Sequence, residues 1–460
     1  MIKKLPEKIV KSQSNACKEL VKTLLFEVFI NKRPADKVLS YYFRNNKHFG
    51  SRDRKIFIEV SFSIFRWWGW IKELLPITLI DQLSRQDINC ESIIISNKSL
   101  CIILLSSSLL DNRDMIPEDI VKLWARELKF TLPSNSVFKI DMKLEEQQNL
   151  IKLVAASLTE NKNIKLSILD LIPQWAPQFF PKDSDINKII SFFQRRPPMW
   201  LRCQSQNPNK LVSAFRNYNL EAVLNKTVKN AICINKAKVN LYTLYEFQKG
   251  QFEIQDLASQ AIGLACNPSP GERWWDSCAG AGGKSLQLSF LMNGKGSVVA
   301  TDIREYKLVD LKKRAKRASV PNIQCSPWDG KALRLRKRYK FDGVLVDAPC
   351  SCSGTWRRNP DAKWNITTDQ VDEIKDIQLK ILQNASTGVK TKGVLVYATC
   401  SIFYKENDDT VNMFLSSNND FALEPFTNPI TGIQTDGTMQ IYPWEGNCDA
   451  TFVARFRRKT

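Results

Sequence analysis

From about Gln255 onward, short apolar runs alternate with helical stretches, and this alternation restricts the C-terminal part of the chain to a parallel, doubly wound α/β sheet. The best strand candidates are Arg273–Asp276, Ser297–Asp302, Phe341–Asp347 and residues 393–398. Each ends at or next to a potentially reactive residue. In open sheets of this kind ligands bind beyond the carboxyl ends of the strands, so these residues are expected to collect on one edge.

The remainder divides differently. Through residues 15–130 the apolar positions recur mainly at helical spacing, as in Ile56, Val60, Ile64, Trp67, Ile71 and Leu74, which predicts an all-helical domain over residues 1–150. Ser51-Arg52-Asp53-Arg54 is placed to cap the helix that carries this run. Pro133, Pro173, Pro177 and Pro181 break any long helix in the stretch that follows. Residues 151–254 therefore read as a connector leading into a small α+β module, with Met199–Cys203 as a strand and a helix-like run over 209–217. Residues 255–460 form the α/β domain.

A formal net charge of +20 favours a polyanionic partner, with nucleic acid first, through counterion release and long-range attraction. Twelve cysteines without dense or regular spacing argue against a disulfide scaffold and for a reducing compartment, so a cytoplasmic location is expected. The opening MIKKLPEKIVK is followed by no apolar core, so no secretory signal is expected, and the apolar stretch over 101–110 is too short and serine-rich to span a bilayer. One histidine, His48, leaves Ser/His and Cys/His hydrolases without an imidazole base. Cys350-x-Cys352 lacks the spacing of a zinc knuckle, and no metal is expected.

Asp276-Ser-Cys-Ala-Gly-Ala-Gly-Gly-Lys284 follows a strand and opens a helix, where glycines permit a tight turn and close backbone approach to a ligand. It matches neither the phosphate-loop spacing nor G-x-G-x-x-G. Asp302 ends the next strand, where a carboxylate can accept hydrogen bonds from both ribose hydroxyls. Asp329, in Pro327-Trp328-Asp329-Gly330, can equally form a turn or meet an adenine amino group. The most informative segments are Phe341-Asp-Gly-Val-Leu-Val-Asp-Ala-Pro-Cys-Ser-Cys-Ser-Gly-Thr355, continuing through Arg357-Arg358-Asn359-Pro360-Asp361, and Gly393-Val-Leu-Val-Tyr-Ala-Thr-Cys-Ser401. They bring a carboxylate, Asp347, and two thiols, Cys350 and Cys400, to adjacent strand ends. Spacing leaves open which thiol attacks.

Taken together, these stretches resemble the RNA cytosine-5 methyltransferases of the RsmB, Sun and NSUN superfamily. A glycine loop similar to C-A-A-P-G-G-K, then D-A-P-C, R-R-x-P-D and T-C-S, occurs in the family's order between Gln255 and Arg458. More weakly, the N-terminal region is similar to the NusB-like domain of the RsmB branch, and residues 195–253 to its small RNA-recognition-like module. The resemblance implies a Rossmann-like methyltransferase sheet and S-adenosyl-L-methionine as cofactor. It places the cofactor against Cys278, Ala279, Gly280, Ala281, Gly282, Gly283, Lys284, Asp302, Asp329 and Asp347. Gly280 and Ala281 stand where the family has Ala-Pro, a change expected to loosen the loop.

In the implied reaction the T-C-S thiol, Cys400, adds to carbon 6 of cytosine and Asp347 serves ring nitrogen 3. The P-C thiol, Cys350, assists resolution of the adduct. The target base must be unpaired or flipped out. Arg357, Arg358, Lys363 and the basic run 334–340 are the RNA-contact candidates, with Trp356 and Trp364 available for stacking. Cys352 reads as a small buried hydrophobe. Small-subunit ribosomal RNA is the favoured partner, with transfer RNA and a non-catalytic assembly role on the same scaffold as the alternatives. A monomer and no membrane role are expected.

Overall fold

The computed structural model describes residues 5–85, 93–111, 116–133, 142–159, 164–205, 207–235, 239–332 and 340–459. By its contacts the chain divides into two units. One comprises Met1–Gln178, Asp185–Arg195 and Asn359–Ile366, the other Phe179–Ser184, Arg196–Arg358 and Thr367–Thr460.

The first unit is helical. It contains α1 (Glu7–Phe29), α2 (Ala35–Asn45), α3 (Ser51–Ile71), α4 (Ile77–Ser84), α5 (Asn97–Asp111), α6 (Glu118–Glu127), α7 (Leu144–Leu158), α8 (Ile186–Phe193) and the short α14 (Ala362–Asn365). The apolar spacing read from the sequence becomes the buried stripe of α3, where Ile56, Val60, Ile64, Trp67 and Ile71 are all enclosed. The cap differs by one residue from expectation: Gly50 is the N-cap, and its N–H donates to the Asp53 carboxylate (3.0 Å). The unit also runs past residue 150, because α7 packs on α5 and the Ile168–Leu171 turn packs on α3.

In the second unit an antiparallel sheet of order β2-β3-β1-β4 is built from β1 (Met199–Cys203), β2 (Ala222–Leu224), β3 (Ala231–Ile234) and β4 (Phe252–Ile254), with α9 (Pro208–Arg216) and α10 (Tyr245–Gln248). The larger sheet follows, with α11 (Leu257–Cys266), β5 (Arg273–Asp276), α12 (Gly283–Leu291), β6 (Ser297–Asp302), α13 (Glu305–Arg317), β7 (Ile323–Pro327), β8 (Phe341–Asp347), α15 (Thr368–Ser386) and β9 (Val389–Thr399). It is completed by α16 (Asp408–Ser417), β10 (Phe421–Leu423), β11 (Thr438–Ile441), α17 (Pro443–Gly446) and β12 (Thr451–Arg458). The strand order is β10-β12-β9-β8-β5-β6-β7, with β11 on β12. β7, β6, β5, β8 and β9 run parallel, and β10, β11 and β12 are antiparallel additions.

Side chains alternate across a strand, so neighbours on β5 enter different cores. Trp274 packs with Ala258, Ile262 and Leu288 on one face, Trp275 with Leu382, Phe341 and Phe414 on the other. Helices on both faces make the sheet interior apolar, which is why the strands read as near-continuous hydrophobic runs. Register then aligns the strand ends: Asp276 lies beside Ala300 and Leu345, and Asp347 beside Ala398. Among the described residues no helix is long and apolar enough to cross a membrane.

Two of the expected RNA contacts are corrected by burial. Lys363 is 1% exposed within the helical unit, and its ammonium donates to the carbonyls of Arg66 (3.0 Å) and Leu171 (2.7 Å). Burial, with the nearby Arg66 charge, holds its pKa well below the ordinary lysine value. In the second unit Arg357, also 1% exposed, donates to the carbonyls of Cys448 and Arg196 and to the side-chain oxygen of Asn447. Trp356 is buried against Phe403, and Trp364 donates its indole N–H to the Phe65 carbonyl (2.7 Å). A cation whose hydrogen bonds are spent on enclosed carbonyls is structural. Of the basic run 334–340, residues 334–339 lie outside the described residues.

Replacing Lys363 with Met removes the donor to the buried Leu171 carbonyl, at about 1–3 kcal/mol for a group left unsatisfied, while the Arg66 carbonyl keeps its acceptor role within α3. The expected outcome is a lower Tm with the salt dependence of RNA binding unchanged. An unchanged Tm with a slope of log K against log salt shallower by about one phosphate contact would return Lys363 to the RNA interface.

Candidate active site

Because β8 and β9 end level, the backbone carries Cys350 and Cys400 out of the sheet side by side. Their sulfurs are 3.2 Å apart. Both line a cavity of about 940 Å³ whose wall also includes Lys284, Asp302, Asp329 and Asp347. That volume lies at the upper end of the range for small-molecule sites, about 300–1,000 Å³.

The glycine loop forms one wall, and it is pinned rather than loosened. Gly280 adopts φ +53° and Gly282 φ +83°, a left-handed region that glycine enters without strain. The Gly280 N–H donates to Asp302 (2.9 Å), Gly282 N–H to the Ala279 carbonyl (2.8 Å) and Ala279 N–H to the Thr301 carbonyl (2.8 Å). Arg314 donates to the Ala281 carbonyl (2.8 Å). The glycine standing in the family's second Ala position thus supplies the conformation that the turn uses. Beneath the loop, Asp276 is fully buried, its pKa pushed up to about 7 by desolvation, and it accepts the Ser285 hydroxyl (2.6 Å).

At the neighbouring strand end Asp302 is 4% exposed and accepts the Arg304 N–H (2.9 Å) besides that of Gly280. The exposed Arg304 guanidinium also donates to both carboxylate oxygens, at 3.0 and 3.1 Å. Although burial opposes ionisation, these donors hold the Asp302 pKa below the ordinary value, so it meets the cavity as an anion. Asp329 is half exposed and paired with Lys331 (2.7 Å). Asp347 accepts from Lys284 (2.7 Å). Burial works against the Lys284 charge, but the Asp347 carboxylate outweighs it and holds the ammonium form.

The thiols behave as a group of three, since Cys352 joins the pair. Donation from Cys350 holds Cys352 well below the ordinary thiol range, while its bond to Cys352 pushes Cys350 well above it. Cys400 also accepts from Cys350, yet its bond to Cys352, burial and the Cys352 charge leave its pKa well above 9. Three adjacent thiols in a half-dry pocket thus hold one negative charge more easily than two.

Sequence reasoning missed what holds the two turns together. Glu406, fully buried, accepts hydrogen bonds from the hydroxyls of Ser351 and Ser401, from Ser351 N–H (2.8 Å) and from Gln378 (3.0 Å). Ser351 follows Cys350 and Ser401 follows Cys400, so one carboxylate fastens both thiol-bearing turns. Gly354 adds a backbone stitch: its N–H donates to the Cys400 carbonyl (2.9 Å) and its carbonyl accepts from Ala450 (2.9 Å). A Cβ there would run into the Ala450 carbonyl oxygen. The one available signal was a cluster of small hydroxyl residues after each cysteine with an acid shortly downstream. Of the three basic RNA candidates only Arg358 keeps a partly exposed side chain, and its guanidinium is shared between Asp256 and Asp449, at 2.9 Å each.

Residues 263–457 match the family model described as 16S rRNA methyltransferase RsmB/F. The probable ribosomal RNA small subunit methyltransferase B of Bacillus subtilis (strain 168) is 36% identical over 297 residues, 63% of this chain and 66% of that protein. The ribosomal RNA small subunit methyltransferase B of Pasteurella multocida (strain Pm70) is 30% identical over 278 residues, 59% of this chain and 61% of its own length. The chain thus spans just under two thirds of these relatives. Among solved structures, PH0851 superposes with a TM-score of 0.71 at 20% identity, covering 96% of this chain and 99% of its own. NSun6 from Pyrococcus horikoshii with SFG gives a TM-score of 0.54 at 18% identity over 62% of this chain and 97% of its own. These two likenesses establish the fold. Through residues 263–457, which carry most of the cavity-bearing sheet, the chain is thus similar to the RsmB/F methyltransferase family.

Proposed function

We propose that this protein methylates carbon 5 of a cytosine in small-subunit ribosomal RNA, using S-adenosyl-L-methionine and a covalent cysteine adduct. The observation that carries the reading is the pair of sulfurs, Cys350 and Cys400, 3.2 Å apart in a cavity shared with the Lys284–Asp347 ion pair and Asp302. The substrate class follows from the names of the relatives at 36% and 30% identity.

The residues present suit the cofactor. Asp302, an enclosed carboxylate that remains ionised at the end of β6, offers acceptors to a ribose diol, and the pinned glycine loop lets a ligand approach the backbone closely. When bound, the cofactor supplies an electrophilic methyl group on a sulfonium.

Carbon 5 of cytosine is a weak nucleophile until a thiolate adds to carbon 6, and Cys400 makes that bond. The negative charge that develops toward ring nitrogen 3 requires a proton. In the Lys284–Asp347 pair that proton rests on the ammonium, so Asp347 passes it on rather than storing it. Cys350, its sulfur 3.2 Å from that of Cys400, serves as the acid–base partner when the carbon 5 proton leaves and the Cys400 bond breaks. Glu406 acts at one remove as a positioning residue, because it sets the distance between the two sulfurs.

With RNA carrying 5-fluorocytosine at the target, Cys400→Ala is expected to form no covalent complex, and Cys350→Ala to accumulate it with natural cytosine. The reverse pattern, read on denaturing gels, would exchange the two roles. Glu406→Ala should slow adduct formation by about 100-fold, the scale on which a misplacement of about 1 Å acts, with cofactor affinity unchanged. Glu406→Gln, which keeps an acceptor for Ser351 N–H, should recover part of the rate. Equal rates in wild type and Glu406→Ala would remove Glu406 from the mechanism.

A further inference from the structure

The proposed reaction needs two thiols, and the pocket holds three. The sulfurs of Cys350, Cys352 and Cys400 all lie within 4.8 Å of one another, with Cys350 and Cys400 at 3.2 Å. Tetrahedral zinc with Zn–S bonds of about 2.3 Å sets sulfurs about 3.8 Å apart, so a pair at 3.2 Å with a third sulfur inside 4.8 Å needs only small side-chain adjustments to close on one ion. The sequence spacing Cys350-x-Cys352 had argued against a zinc knuckle, but the third sulfur arrives from the end of β9 rather than from the same loop. Cys352 also occupies a backbone conformation that a side chain rarely adopts, with φ +56° and ψ 23°, and its thiol lines the cavity. Glycine would fit that position without strain. The cluster is pre-organised, since Glu406 fastens the turns on which Cys350 and Cys400 sit.

We propose that Cys350, Cys352 and Cys400 form a binding site for a soft, thiophilic divalent cation of the Zn²⁺ or Cd²⁺ class, whose occupation competes with attack by Cys400. Thiolates select such ions over Mg²⁺ and Ca²⁺, which prefer oxygen. Three protein ligands leave a fourth position open toward the cavity. The site itself stands on the three sulfurs; the competition rests on the reaction proposed above.

The test uses the full chain, reduced with a phosphine and stripped of metal, titrated with Cd²⁺ and followed by sulfur-to-metal charge-transfer absorption. Wild type should bind one equivalent with the signal of three thiolates. Cys352→Gly, which relieves the left-handed position and is therefore expected to fold, should bind at least tenfold more weakly. Cys233→Ala, outside the cavity, should match wild type. In a second measurement Zn²⁺ should protect Cys350, Cys352 and Cys400 of the wild-type protein from alkylation. Equal Cd²⁺ affinity in wild type and Cys352→Gly, or protection falling on other cysteines, would overturn the site. Zn²⁺ should also suppress adduct formation with 5-fluorocytosine RNA, reversibly on chelation. Tight binding at these three sulfurs with adduct formation undiminished would overturn the competition and leave the site standing. Failure of metal-free wild-type protein to form any adduct would count against the proposed reaction instead.

Discussion

A buried carboxylate tied to two loops is the constraint on which the thiol geometry depends. Parallel strands deliver Asp347 and Thr399 to one edge of the sheet, but a strand end alone does not set the distance between side chains two or three residues farther on. Glu406 does so by accepting from both serines that follow the cysteines, with the Gly354 backbone closing the same gap from the other side. A carboxylate with no water around it costs free energy, and burial raises the Glu406 pKa accordingly. Four donors around it offset that cost. Removing any one of them leaves the rest of the network under-satisfied, which makes the arrangement stiff.

The sheet was legible because burial on both faces turns each strand into an apolar run, and because the pairing of β8 with β9 ends at the acidic and thiol residues themselves. What was not legible had contextual causes. β12 was missed since Arg455, Arg457 and Arg458 interrupt it; their charges are met by Glu424, Asp420 and main-chain carbonyls, which no local pattern announces. The 151–195 stretch read as a connector because prolines dominate it, yet much of it belongs to the helical core. Residues 359–366 follow the cysteine-bearing segment in sequence but belong by contact to the helical unit. Lys363, Trp364 and Asp361 all bond backbone there, the last accepting Ala35 N–H at 2.8 Å. Charge beside a site segment was taken for RNA contact, and tertiary carbonyls claimed it instead. Glu406 was invisible because an isolated acid in a loop reads as solvated.

The same distinction bears on the net charge of +20. A cation attracts a polyanion only when its field reaches solvent. Arg202 is enclosed and donates to Gln255, Gln204 and the Gly283 carbonyl, while Arg314 and Arg317 both turn onto Glu253. Arg455 and Arg457 share Glu424, and Arg357 and Lys363 are buried. These basic residues hold elements together and contribute little to long-range attraction. The charge that reaches solvent sits on exposed lysines such as Lys312, Lys313 and Lys316, which follow β6 on α13, and Lys226 and Lys229 between β2 and β3. Composition gives only a total charge, while burial separates the cations whose field reaches solvent from those that maintain the fold.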